Sequence, residues 1–320
     1  MIPDPTKTGG RANPLNDFLF LKTMGEKGDE EQLLGFLNAV LGRSGTDSFA
    51  SIDIIENKSL IADIIGGKSC VLDVRAVLQD GTKVNVEVQI RNQHNMDKRS
   101  LFYWSREFAK SLDAGQNYRE LPKVISINIT GFEFMSSGGF HTCFHLKEDR
   151  DLTLLTDALE IHYVDMVKWR KQSGKDIANN SLHRWLTWLD PDSPPEQAEE
   201  AVRMDTTIQK AQEKQEYVLS DEEAVRLYEN RQMAYWDNIN ADNYAREEAE
   251  IALEKGRKEG LAEGLKEGLE KGIEKGLKEG IEKGTKKSSM DIARRMKARG
   301  RPIDEISEDT GLLREVIEKL

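Results

Sequence analysis

The sequence predicts an α/β fold built around a mixed sheet and extended at its C-terminal end by helices. Three observations predict it. Six short, largely β-branched segments recur between residues 51 and 164, bounded by turn-forming residues. A helical stretch, RSLFYWSREFAKSLDAG (99–115), separates the third strand from the fourth. From residue 256 to 284, glycine recurs at every fourth position among Leu, Ile, Glu and Lys.

The elements follow in order. Residues 1–14 are rich in Pro, Gly and polar groups and read as a flexible N-terminus. EEQLLGFLNAVLG (30–42) places Leu33, Leu34, Leu37, Val40 and Leu41 at helical spacing, and Gly42 suits the stop. Strands are expected at 51–57, 70–78, 83–90, 123–129, 141–146 and 159–164. In the helical stretch, Leu101, Trp104, Phe108 and Leu112 form an apolar stripe. DPDSPPE (190–196) reads as the end of a domain spanning 15–190. A polar helical region (191–253), the glycine-patterned helix (254–287) and a small helical module (288–320) complete the chain.

Composition excludes several classes. The chain has 320 residues, 38% hydrophobic and 32% charged, with a net charge of −11. That balance argues against broad electrostatic binding of nucleic acid and leaves room only for a local basic surface. Cys70 and Cys143 are the two cysteines; without metal-knuckle spacing they point to a reduced, cytoplasmic chain. No apolar run approaches the ~18 residues of a spanning helix, so no membrane segment is expected.

The stretch LDVRAVLQDGTKVNVEVQI (72–90) carries the candidate chemistry. With a two-residue Asp80-Gly81 turn, every apolar residue would face a polar one across the ladder. With a three-residue loop, Gln79-Asp80-Gly81, one face collects Leu72, Val74, Ala76, Val84, Val86 and Val88. A one-residue slip inverts every side chain, so the buried face selects the second register. A type I turn closed by a left-handed glycine supplies that loop. Asp73 then lies opposite Glu87, with Cβ atoms about 5 Å apart, and Gln89 follows on the same face. Two carboxylates that close favour a shared proton or a cation between them. Mg²⁺ (or Mn²⁺/Ca²⁺) suits such oxygens. On spacing alone, an ordinary polar strand face is the simpler reading.

A resemblance shifts that weighting. The chain resembles the PD-(D/E)xK nuclease superfamily, whose core places an acid on one strand and E-x-K on the next. More closely, it looks like the recombination-promoting nuclease family, whose members are also described as transposases. NPLNDFLFLKTMG, LLGFLNAVLG, LDVRA…DGTKVNVEVQI, KRSLFYWSREFAKSLDAGQNY and KVISINITGF carry the likeness, in the family's order, over residues 13–165. The glycine repeat and IDEISEDTGLLREVIEKL look like that family's tail. The resemblance implies Asp73 and Glu87 as metal ligands, with the Val88 carbonyl as a third. Gln89 would stand where the superfamily usually has lysine; its amide can orient water but brings no charge. Asp17, Glu30 and Glu31 are candidates for an extra acid, although acids at helix starts commonly just offset the dipole.

In the following helix, Arg99, Tyr103, Arg106 and Lys110 share one face, a row suited to phosphates of a DNA strand or simply to solvent. His94, His141, His145, His162 and His183 show no zinc-type grouping, and Trp185 and Trp188 read as core. In the glycine helix, each glycine costs about 1 kcal/mol relative to alanine. It reads either as a helix that gains a partner or as a solvated spacer. Ile292, Met296, Ile303, Ile306, Leu312, Val316, Ile317 and Leu320 supply a core for the final module. From 303 to 320, six acids against two bases disfavour DNA docking there and favour protein contact or self-association. The function expected is metal-dependent hydrolysis of DNA phosphodiesters by a homo-oligomer joined through its C-terminal helices, tied by the resemblance to recombination, mobile elements or defence. The alternative is a catalytically weak or inactive nuclease-fold binding protein whose tail drives oligomerisation or regulation.

Overall fold

The structure, a computed structural model, describes residues 11–55, 73–136 and 138–320. Leu72 and Cys70, the first part of the second expected strand and most of the expected N-terminal tail therefore lie outside the described residues. The chain forms two compact units, divided between Ala241 and Asp242.

The first unit is built on a sheet of six strands in the order β1-β2-β3-β4-β6-β5. They are β1 (Ile52–Ile54), β2 (Asp73–Leu78), β3 (Lys83–Gln89), β4 (Val124–Thr130), β5 (His141–Phe144) and β6 (Leu159–Asp165). β1, β2 and β3 pair antiparallel, β3, β4 and β6 pair parallel, and β5 returns antiparallel to β6. The expected mixed sheet is thus present, with all six strands where alternation placed them.

One face of the sheet is apolar. Val74, Ala76, Val84, Val86, Val88, Ile125, Ile127 and Ile129 are buried there. Against them pack α1 (Asp17–Met24) and α2 (Glu30–Val40). Asn16 caps α1 by accepting the Leu19 N–H (3.2 Å). After α2 the chain turns at Gly42, whose φ of 65° suits glycine.

The other face is polar and is covered by α3 (Met96–Ala109). Of the expected apolar stripe, Trp104, Phe108 and Leu112 are half-buried, and the reading is corrected at Leu101. Leu101 is 50% exposed, and the inward side of α3 is Met96, Ser100, Tyr103, Trp104 and Glu107. The physical reason is the surface it meets: Asp73, Arg75, Asn85 and Glu87 ask for polar partners. Apolar contact comes from Met96, which joins Leu159, Ile161 and Tyr163, and from Trp104, which packs against that cluster. Trp104 anchors the helix by donating from Nε1 to the Val124 carbonyl (2.9 Å).

DPDSPPE lies inside the first unit. Asp190 is buried and accepts from Arg170 Nε (2.9 Å). Beyond it, α6 (Pro195–Met204) and α7 (Thr206–Val218) contribute Ala201, Ile208, Ala211 and Val218 to the main core, beside Trp185 and Trp188 of α5 (Ser181–Leu189). Asp165 opens the short α4 (Met166–Lys171) by accepting the Lys168 N–H (2.9 Å).

The second unit holds most of α8 (Glu222–Ala298), then α9 (Ile303–Thr310) and α10 (Arg314–Glu318). Ala293, Ile306 and Ile317 are its buried centre, with Met296, Ile303, Leu312 and Leu320 against them. Ile292, expected in that core, is instead 47% exposed, because Ala293 occupies the inward helical position. The repeat is continuous helix, and a Cβ at any of its eight glycines would meet nothing within 4 Å. No helix of the described residues is long and apolar enough to cross a membrane.

Helix contact between α2 and α7 depends on Gly35. A Cβ there would lie 2.2 Å from Thr207 Oγ1. Gly35→Ala should therefore destabilise the first unit by about 1–3 kcal/mol through overpacking. Urea unfolding followed by tryptophan fluorescence measures it; an unchanged midpoint would remove α7 from this core.

Candidate active site

The hairpin between β2 and β3 fixes the site. Gly81 N–H donates to the Leu78 carbonyl (2.9 Å), Leu78 N–H donates to the Thr82 carbonyl (2.8 Å), and Gly81 has φ 84°. The connection is thus the three residues Gln79-Asp80-Gly81, tightened by Asp80 Oδ1 accepting the Thr82 N–H (2.9 Å). The register pairs Asp73 with Glu87, Val74 with Val86 and Ala76 with Val84. Hydrogen bonding alternates along an antiparallel ladder. The 78–82 bond makes 76–84 and 74–86 the bonded pairs. Asp73–Glu87 is then a non-bonded pair, the kind whose Cα atoms approach to about 4.5 Å.

Glu87 is 1% exposed and holds Arg99 from α3: Nε at 3.0 Å and a terminal nitrogen at 2.8 Å, both on Oε1. Among the described residues, Oε2 accepts no hydrogen bond. Burial pushes the Glu87 carboxyl upward, Arg99 opposes that shift, and the Asp73 charge adds to it. Burial also raises Asp73, against Arg75, whose Nε lies 3.4 Å from Oδ2. Glu107 of α3 closes the set, 4.0 Å from Arg75 and 3.8 Å from Lys83. Three acids and three bases alternate across the site.

On β4, Asn128 pairs in register with Glu87. It is fully buried, and its Oδ1 has no donor among the described residues, while its Nδ2 donates to the His162 carbonyl (3.1 Å). Sequence reasoning missed Asn128 and Glu107. The signal for Asn128 was present: in VISINIT, Ser126, Asn128 and Thr130 alternate with three isoleucines. Nothing in the sequence pointed Glu107 inward.

The other candidates separate. Gln89 lies half-buried on the Glu87 face, its Nε2 donating to the Arg91 carbonyl (3.0 Å). Gly131 N–H donates to the Gln89 carbonyl (3.0 Å), so odd-numbered residues of β3 face β4 with their backbone groups. The Val88 carbonyl accordingly turns to the β2 side, where Asp73 stands. Asp17 lines a cavity of about 180 Å³ with Val88, Gln89 and Arg231, the last 3.6 Å away, and burial raises its carboxyl. Glu31 instead pairs with Lys210, and Glu30 accepts the Gly28 N–H (2.9 Å); neither meets Asp73 or Glu87. The expected basic row divides. Arg99 and Tyr103 turn toward the sheet, the guanidinium 5.4 Å from the ring centre, whereas Arg106 and Lys110 are exposed.

The donor set is two carboxylates, an orphaned amide oxygen and a nearby carbonyl. These are hard oxygen donors, and they suit a divalent cation of the Mg²⁺ kind. A different group, Cys143, Glu160 and His162, gathers on the opposite face with ligand atoms within 4.8 Å of one another. The sequence did not show it, because cross-strand pairing of β5 with β6 creates it.

No curated protein and no solved structure matches this chain. A protein-family model described as "PD-(D/E)XK nuclease family transposase" matches residues 14–245, which takes in α1, the whole sheet, both site carboxylates and α3. With more than half of its length under that match and the fold in agreement, the chain belongs to the PD-(D/E)XK nuclease family transposases.

Proposed function

We infer that the protein is a metal-dependent deoxyribonuclease that hydrolyses DNA phosphodiester bonds in the cytoplasm, in recombination, mobile-element or defence chemistry. The observation that carries this reading is the Asp73–Glu87 pair: two half-to-fully buried carboxylates at a narrow cross-strand position, beside the unpartnered Asn128 oxygen. Burying two acids so close raises both carboxyls, a cost that a bound cation would offset.

Asp73, Glu87, the Val88 carbonyl and Asn128 Oδ1 would hold Mg²⁺ or Mn²⁺. Bound there, such an ion activates water and neutralises charge developing on the phosphoryl oxygen. Arg99 opposes the upward shift of Glu87 by binding Oε1 and leaves Oε2 open. Gln89 orients water by hydrogen bonding, and its uncharged amide gives weaker stabilisation than a lysine would. Asp17 stands beside Gln89 in the adjoining cavity as the additional acid. Arg106 on α3 and Lys110 at its C-terminal cap, both exposed, meet the DNA backbone.

Plasmid incubated with purified protein and Mg²⁺, Mn²⁺ or Ca²⁺ should be nicked. Asp73→Ala and Glu87→Ala should each lower the rate beyond the roughly 10–100-fold that outer-shell changes typically cost. Cleavage surviving both substitutions removes the hydrolytic reading and leaves a DNA-binding protein on a nuclease fold.

Cation binding is checked without turnover. At a free ion concentration 100 times its Kd, the wild-type protein should gain about 2.7 kcal/mol toward unfolding. Calorimetry should show that gain lost in Glu87→Ala; an equal gain in the variant would place the ion elsewhere.

The tail is assigned to homo-oligomerisation. Leu261, Leu265, Leu269, Ile273, Leu277 and Ile281 are 62–68% exposed along the glycine-patterned helix. Glycines allow helix backbones to approach closely, and a four-residue period coils right-handedly. Deleting residues 254–320 should lower the mass found by light scattering to that of one shortened chain. An unchanged number of chains per particle discards this role.

A further inference from the structure

A second set of ligating side chains lies across the sheet from Asp73 and Glu87. The antiparallel register of β5 and β6 sets Cys143 against His162. Continued by two residues, the same register sets His145 against Glu160. Strand side chains repeat every two residues, so all four emerge on one face. Cys143 Sγ is 3.5 Å from His162 Nε2, and 3.8 and 3.9 Å from the two ring nitrogens of His145. Glu160 Oε1 is 2.7 Å from His162 Nε2, and its Oε2 is 3.8 Å from His145 Nε2. Tetrahedral zinc, with Zn–S near ~2.3 Å and Zn–N near ~2.0 Å, spaces its donors by about 3.5 Å.

We propose that Cys143, His145, Glu160 and His162 form a transition-metal site for zinc or a similar borderline ion, clamping edge strand β5 to β6. The chemistry of the donors separates it from the carboxylate site. One thiol and two imidazoles favour zinc over magnesium, whereas the Asp73 face offers only oxygen. His141 acts as a positioning residue. Its Nε2 lies 3.0 Å from His162 Nδ1, and the rings stack with centroids 5.2 Å apart. With His162 Nε2 turned to the ion, the ring proton would sit on Nδ1 and be donated in a hydrogen bond to His141 Nε2; such partners orient ligating histidines. Lys123 contacts Glu160 Oε2, so Oε1 is the oxygen available to the metal. The clamp has a mechanical purpose. β5 is four residues long and, among the described residues, pairs on one side, with β6.

The full-length protein, reduced and stripped of metal, is titrated with Co²⁺, and Zn²⁺ is then added in competition. With Mg²⁺ kept in excess to fill the carboxylate site, the expected result is one cobalt ion per chain, the visible bands of tetrahedral cobalt, a sulfur-to-cobalt charge-transfer band, and loss of both as zinc displaces cobalt. Cys143→Ser should abolish the charge-transfer band, and His145→Ala, also at an exposed position, should weaken the tetrahedral bands. His141→Ala should reduce affinity roughly 10–100-fold while retaining the charge-transfer band at saturation. Glu87→Ala should leave the spectrum unchanged, which keeps this site distinct from the carboxylate pair. Far-UV dichroism confirms that each variant is folded. An octahedral spectrum, absent charge transfer, or a band that survives Cys143→Ser overturns the proposal.

Discussion

The site depends on one constraint: a three-residue connection that places Asp73 and Glu87 across from each other at a narrow, non-bonded position of the ladder. Gly81 makes that connection possible by taking a left-handed conformation that other residues adopt at a cost. The same register sends Val74, Ala76, Val84, Val86 and Val88 to the opposite face, where they are buried. Core and chemistry are therefore set by a single parity. Losing it would expose the valines and bury the acids in the core together.

Around the pair, charge is balanced locally. Glu87 is paired with Arg99, Asp73 with Arg75, and Glu107 with Arg75 and Lys83. A buried carboxylate without such a partner costs several kcal/mol, so α3 is as necessary to the site as the hairpin is. This explains why α3 turns charged and hydroxyl side chains inward and leaves Leu101 and Phe102 in solvent. The helix packs to satisfy a polar sheet face, with Met96 at its start and Trp104 in its second half anchoring it.

The two sheet faces carry different donor chemistry. Oxygen donors collect where β2, β3 and β4 meet, and sulfur and imidazole collect where β5 and β6 meet. Each set is assembled by strand pairing, which brings groups from neighbouring strands together. The parallel centre of the sheet separates them, with Asn128 facing one side and His162 the other.

The sequence by itself determined the strands, the hairpin register and the opposition of Asp73 and Glu87. These rest on short-range causes: two-residue alternation, a loop whose length fixes parity, and a glycine at the turn. Alternation in VISINIT also marked Asn128, had its polar positions been given the weight of its isoleucines. Tertiary structure decided the rest. Arg99 was legible as a helical base but not as the partner of Glu87, and Glu107 was one charge among many. Periodicity ranks the faces of a helix by hydrophobicity, whereas the face that turns inward is chosen by the surface it meets. Likewise, Cys143, His145, Glu160 and His162 lie 2 to 19 positions apart in the chain, and only the pairing of β5 with β6 makes them neighbours.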